Sequence, residues 1–215
     1  VNFDPRDLPR TIAEGEKAVA SLPTTRTCQG CDLCCTAVGV EAINKPAGVP
    51  CPHLSGLPGW SCSIYRTRPV NCASFVCLWR GSNTALPQEA FPAKAGFVVA
   101  IPTIQIPMLI TIHPDPRRPD AWRAWTSTFS QLAADANAIV VVGQAHLAST
   151  IFAPSGKVFT KADRPDLFKD GGKTIGVPQD EFGPELSLPE TVRRIWRLFD
   201  PPAPKVANLR SRLMR

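Results

Sequence analysis

Eight cysteines, all that this 215-residue chain contains, lie between positions 28 and 77. Four of them read Cys28-Gln29-Gly30-Cys31-Asp32-Leu33-Cys34-Cys35, and Cys51, Cys62, Cys72 and Cys77 follow. Packing in an ordinary core scatters cysteines along a chain, so this crowding points to a metal or a disulfide framework. The same window holds Pro46, Pro50, Pro52, Pro58 and Gly59 and few periodic apolar stretches. Such a segment has little to bury. Cross-links must hold it, as in small metal-stapled modules.

Cys-x-x-Cys chelates because a tight turn of two residues brings both sulfurs to one centre, with backbone amides free to hydrogen-bond them. Two such units overlap here, Cys28–Cys31 and Cys31–Cys34, and Gly30 permits the turn. Three evenly spaced thiolates can cap one face of an iron–sulfur cluster. Cys35 points elsewhere, because adjacent side chains diverge; it is either the fourth ligand or a bridge to a second site. Eight thiolates admit two four-cysteine zinc sites, one four-iron cluster with a second site, or one site with structural thiols. Crowded thiolates without a cation repel and their pKa values rise, which favours metal. His53 could ligate but reads as a hydrogen-bonding or exposed group, and His113 and His146 read as structural or exposed.

Disulfides would need an oxidising compartment. The opening Val1-Asn2-Phe3-Asp4-Pro5-Arg6 carries none of the pattern of a signal peptide. No apolar run approaches the roughly 18–20 residues of a membrane span. The expectation is a cytoplasmic protein with no membrane partner, whose cysteines hold metal.

The pattern Cys28-x-x-Cys31-x-x-Cys34-Cys35, then Cys51-Pro52-His53-Leu54, then Cys62-Ser63-Ile64-Tyr65-x-x-Arg68-Pro69-x-x-Cys72-x-x-Phe75 resembles the CxxCxxCC family of zinc- or iron-chelating proteins. Flagellin lysine methylases are similar in carrying a related cysteine cluster, read as an iron–sulfur site. The resemblance implies metal ligation by Cys28, Cys31, Cys34, Cys35, Cys51, Cys62 and Cys72, and leaves Cys77 beyond the core pattern. It covers residues 28–75 and transfers no activity to the rest. Around the cysteines, Tyr65 can shield the site with its ring. Arg68 can donate to carbonyls or thiolates, and Pro69 fixes the approach to Cys72. The triple run and the methylase likeness lean toward a [4Fe-4S] cluster; zinc is the alternative. The radical-generating spacing of three and then two residues between cysteines is absent.

Beyond residue 85 the texture changes. Residues 96–101, 108–112 and 138–142 are apolar runs of strand character. Pro102 and Pro107 confine the first two to edges, ends or bulges. Residues 151–153 and 157–159 flank Pro154-Ser155-Gly156 as a hairpin. Residues 119–136 predict an amphipathic helix with Trp122, Trp125, Phe129, Leu132 and Ala136 on one stripe. A second is predicted over 187–199, opened by Ser187, Pro189 and Glu190 and stopped by Pro201. Residues 10–21 read as a short helix and 160–186 as a polar loop.

The fold class expected is therefore α+β: an irregular Cys-rich, metal-stapled lobe packed on a small mixed β-sheet with two amphipathic helices. The segments are an N-terminal helical piece (1–27), the Cys-rich lobe (28–80), an α+β region (85–200) and a basic tail (201–215). A pocket between lobe and sheet is expected near Trp60 and Trp79. The net charge of +6 resides in residues 193–215, where seven basic residues meet only Asp200. Residues 170–174, Asp-Gly-Gly-Lys-Thr, lack the first glycine of a phosphate loop.

Three functions stand open. The favoured one is a metal-binding accessory or redox-sensor module. The second is a methyltransferase-like enzyme modifying a protein or peptide, with the metal lobe structural; its catalytic residues are unassigned, and Asp115, Asp120 or Asp163 are its candidate acids and bases. The third is partner or nucleic-acid binding through the basic C-terminus, with a protein partner preferred over nucleic acid.

Overall fold

The structure is a computed structural model. It describes residues 11–20, 24–28, 30–55, 62–101, 109–143, 147–169 and 174–182. The helix expected over 187–199, the basic tail, Trp60, His146, Pro102 and Pro107 lie outside the described residues.

Five strands form one mixed sheet: β1 (Phe97–Ala100), β2 (Leu109–Pro114), β3 (Ile139–Val142), β4 (Thr150–Phe152) and β5 (Val158–Thr160), hydrogen-bonded in that order. β2 and β3 run parallel, with Ile110 opposite Val140, and every other pair is antiparallel. A parallel pair needs a crossover long enough to return the chain to the same end. Here a 3₁₀ segment (Ala121–Trp125) runs into α6 (Thr126–Ala136), the longest helix among the described residues, and supplies it. The predicted helix over 119–136 thus begins as 3₁₀ and becomes α-helical only at Thr126. The hairpin prediction matches β4 and β5, which pair Ile151 with Phe159.

The continuous apolar run of β3 has a physical cause, since both faces of the strand are covered. Val140 and Val142 belong to the larger core, with Ile110, Ile112 and Phe152. Ile139 and Val141 face the other way, against Ile151, Leu167 and Phe168. Phe129 on α6 meets Phe97 edge-to-face at 5.1 Å and Phe152 at 5.8 Å, so the crossover helix is pinned to strands from both halves of the sheet. The predicted stripe is buried at Trp122, Phe129, Leu132 and Ala136, and only half-buried at Trp125.

The expected polar loop over 160–186 is not featureless. A 3₁₀ turn (Pro165–Leu167) leads into β6 (Phe168–Lys169), which pairs with β7 (Thr174–Ile175). Leu167 and Phe168 close the second core. A lone apolar pair is too short to carry a periodic signal.

Short helices build the N-terminal half: α1 (Ile12–Ala20), α2 (Leu33–Ala37), α3 (Val70–Ala73), α4 (Leu78–Gly81) and α5 (Pro92–Ala95). α2, α4 and α5 all lie on β1. Leu33, Ala37, Leu78 and Trp79 therefore belong to the same core as Phe97 and Val140. Trp79 is 4% exposed, meets the Phe91 ring at a tilt with centroids 4.9 Å apart, and donates its indole N–H to the Gln88 carbonyl. No helix among the described residues is long and apolar enough to cross a membrane.

Candidate functional site

All eight cysteines carry free thiols, and they sit on a frame tied by backbone hydrogen bonds. The Cys31 amide donates to the Cys28 carbonyl at 2.7 Å, closing a turn whose Gly30 has φ +67°, a conformation costly for any side chain. α2 then presents Cys34 and Cys35 in succession. The Cys51 amide donates to the Cys35 carbonyl at 3.0 Å, which lays the Cys51 segment alongside α2. The Leu54 amide donates to the Cys51 carbonyl, the bridge between Leu54 and Cys62 extends the frame, and the Ser63 amide donates to the His53 carbonyl. Pro69 precedes α3, and its carbonyl accepts from the Cys72 amide at 2.9 Å. Cys77 precedes α4 and is buried.

The cysteines do not share one environment. Cys77 belongs to the main core, and Cys31 and Cys34 pack against it. Burial pushes the Cys77 thiol up to about 12. Burial also raises Cys31, although the amides of Leu33 and Ala93 face its sulfur and favour the thiolate. Cys34 and Cys35 are linked sulfur to sulfur. The Cys34 thiol donates, which holds it well above its ordinary value and, despite burial, brings Cys35 down to about 7. Cys72 is raised by burial and by the proximity of Cys35, Cys51 and Cys62.

Three cations attend these sulfurs. Lys45 is 4% exposed, and its Nζ donates to the carbonyls of Val38, Thr36 and Pro46. A two-way backbone ladder with Val40 fixes it there. Burial lowers its pKa against the pull of Cys51, Cys35, Cys34 and Cys72. Arg80 favours the thiolates of Cys28 and Cys77, and its Nη1 is buried without a hydrogen-bond partner. Arg68 lies 3.7 Å over the Tyr65 ring, donates to the Tyr65 carbonyl, and pairs with Glu16 of α1 at 2.7 Å. Its charge also lowers Cys72. Tyr65 itself is 43% exposed. Its ring covers Arg68 and stands at the surface of the lobe.

Sequence reading singled out Arg68 and passed over Lys45, Arg80 and Arg26. Arg26, 8% exposed, donates to four carbonyls, those of Trp79, Ser82, Asn83 and Leu86, and so wraps the end of α4. Isolated cations in a polar stretch carry no spacing signal; long-range burial alone reveals them. His113 is buried in β2 with its Nε2 against the Thr111 hydroxyl, so it is structural.

Among the described residues, no three His, Cys, Asp or Glu side chains stand in a grouping that could hold a metal ion. What the molecule provides is a donor set. Eight thiols suit a thiophilic metal in kind and number. The unpartnered Nη1 of Arg80 suits an anionic thiolate assembly, since a buried donor without an acceptor costs about 1–3 kcal/mol.

The chain matches no family model, no curated protein and no solved structure.

Proposed function

We propose that this chain is a thiolate metal-binding protein, holding an iron–sulfur cluster through its clustered cysteines and acting as an accessory or redox-sensor module. The observation that carries the reading is the pairing of free thiols with buried cations. Lys45 is buried and Arg80 buries its Nη1, and both face sulfurs that are neutral as thiols and anionic once they bind metal. Burying a cation is costly unless an opposite charge arrives nearby. Metal-bound thiolates supply that charge.

Cys28, Cys31, Cys34, Cys35, Cys51, Cys62, Cys72 and Cys77 are the donors in this reading. Arg68 screens Cys72 and holds the Tyr65 turn in place. The core beneath Cys31, Cys34 and Cys77 keeps water from one side of the sulfurs. A cluster so placed would supply one-electron transfer, whereas zinc in the same donors would be a structural staple. The triple Cys28–Cys31–Cys34 run favours the cluster, and zinc remains the alternative ion.

Anaerobic purification, followed by iron, zinc and acid-labile sulfide determination and by absorption spectroscopy, tests the proposal. Iron and sulfide in near-equal amounts with a brown chromophore support the cluster. Zinc without sulfide supports the alternative. A colourless protein free of both metals overturns metal binding altogether.

A further inference from the structure

We propose that α1 (Ile12–Ala20) is a latch on the Cys-rich lobe: docked through Gly15 and Glu16, it holds the segment from Cys62 to Ser74 closed, and its release opens Cys62 and Cys72 to thiophilic ions and electrophiles from solvent. The inference goes beyond the metal-binding reading and concerns the thiols themselves, whichever ion they take.

α1 lies against α3, and Cys72 falls in the chain between the two points where it is attached. Before Cys72, the Arg68 Nη2 donates to the Glu16 carboxylate at 2.7 Å. After it, Gly15 approaches the backbone of Ala73 and Ser74 so closely that a Cβ would stand 2.9 Å from the Ser74 amide nitrogen. The stretch between is one tight turn, because the amides of Cys72 and Ala73 both donate to the Pro69 carbonyl. Arg68 reaches the other cysteine as well. It donates to the Tyr65 carbonyl and lies over the Tyr65 ring, and the Tyr65 amide donates to the Cys62 carbonyl at 3.2 Å. One guanidinium therefore joins α1 to the turn at Cys62 and to the start of the helix that carries Cys72.

The attachment is narrow. Among the described residues of α1, Gly15 is buried, Ile12 is half-buried and the others are exposed. Thr11 and Glu14 cap the helix reciprocally, the Thr11 amide donating to the Glu14 carboxylate at 3.1 Å and the Glu14 amide to the Thr11 hydroxyl at 3.2 Å. Yet α1 has nine residues, and helices shorter than about 12–15 residues are marginal alone in water. Leaving α3 therefore melts α1, and docking is an order–disorder step. The chain is tied down again beyond it by Arg26 and its carbonyls in the 79–86 segment, so release stops short of Cys28 and the main core. What release changes is Arg68. It is 8% exposed, and Glu16 is its carboxylate partner among the described residues. A guanidinium buried without its counter-charge is costly. When Glu16 leaves, Arg68 turns to water and lets go of the Tyr65 carbonyl, and the segments carrying Cys62 and Cys72 loosen together.

Iodoacetamide alkylation of the reduced, metal-free full chain is the test. Peptide mapping reads the rate at each cysteine, and amide hydrogen exchange reads α1. Glu16→Arg sets like charges together, and Gly15→Leu drives a side chain into the α3 backbone; neither alters a cysteine. Each is expected to abolish the exchange protection of α1 and to raise labelling of Cys62 and Cys72 severalfold, while Cys77 keeps its wild-type rate. Cys77, in the core, is the check on folding. A variant in which it also speeds up is replaced by Glu16→Gln, which removes the ion pair alone and is judged by the same two readouts. Loss of α1 protection without faster labelling of Cys62 and Cys72 overturns the latch. So does unchanged protection of α1 in both variants, because these two contacts would then not be what holds it.

Discussion

The Thr111 hydroxyl and His113 Nε2 lie 2.9 Å apart inside β2, two residues along one strand and on one face of the sheet. His113 is 4% exposed. Burial, aided by the charge of Lys45, lowers its pKa from 6.5 to about 4. The folded protein therefore keeps this ring neutral where the unfolded chain would protonate it. Above pH 6.5 the effect is absent. As the pH falls from about 6.5 to about 4 the unfolded state binds the extra proton and stability declines, by on the order of 3 kcal/mol in full. Urea unfolding at pH 7, 5.5 and 4.5 should show this decline, and His113→Gln should flatten it. An equally steep decline in the variant would remove His113 as the cause.

Cys35 is the thiol most prepared to react in the reduced, metal-free protein, because Cys34 donates to it and Lys45 faces it. Cys34 and Cys77, both raised well above the ordinary thiol value, are the least prepared. Limiting iodoacetamide at pH 7, followed by peptide mapping, should label Cys35 first and Cys34 and Cys77 last. Cys34→Ala should slow labelling of Cys35 more than Lys45→Met does, since the hydrogen bond from Cys34 is the larger influence. The reverse order would show that charge outweighs the sulfur–sulfur contact.

Gly15→Ala sets two effects against each other. Alanine improves helix propensity by about 1 kcal/mol. Its Cβ, however, would stand 2.9 Å from the Ser74 amide nitrogen and 3.1 Å from the Ala73 carbonyl carbon. Both are backbone atoms of the α3 region and cannot rotate away, so α1 must move off α3. Overpacking of this kind costs about 1–3 kcal/mol, and the net change should be destabilising. Thermal melting checks the sign; a raised midpoint would mean that the two helices separate freely.

Arg26→Lys should cost about 2–4 kcal/mol, although it preserves the charge. An ammonium cannot reproduce the fork that reaches the carbonyls of Trp79, Ser82, Asn83 and Leu86 together. Urea unfolding of the reduced protein measures the loss. A change within about 0.5 kcal/mol, the range of an ordinary surface substitution, would show that these carbonyls find other donors.

The five strands of the main sheet were legible because each is a short apolar run bounded by proline, glycine or polar residues, as Ile139–Val142 is by Asn137 and Gly143. The crossover helix was legible from its aromatic stripe. Its 3₁₀ opening was not, because Ala121–Trp125 has the same composition either way. Leu167 and Phe168 hid in a polar stretch, since two residues make no period. At the candidate site the cysteines announce themselves by crowding. Lys45 and Arg80 do not, because an isolated cation reads as solvated until the chain closes over it. Cys34 and Cys35 are neighbours in sequence with opposite titration behaviour, a difference created chiefly by which of the two sulfurs donates the hydrogen bond between them.

Leu33, Cys77 and Trp79 share one apolar interior with Phe97 and Val140. The thiol-bearing segment is therefore not a pendant that can melt by itself while the sheet survives. Whatever occupies the sulfurs acts as a thermodynamic clamp on the strands, because its binding free energy adds to the unfolding free energy of the shared body. A chelator or an oxidant acting at the cysteines would be felt at β3, and the unfolding curve of the sheet becomes a gauge of the state of the lobe.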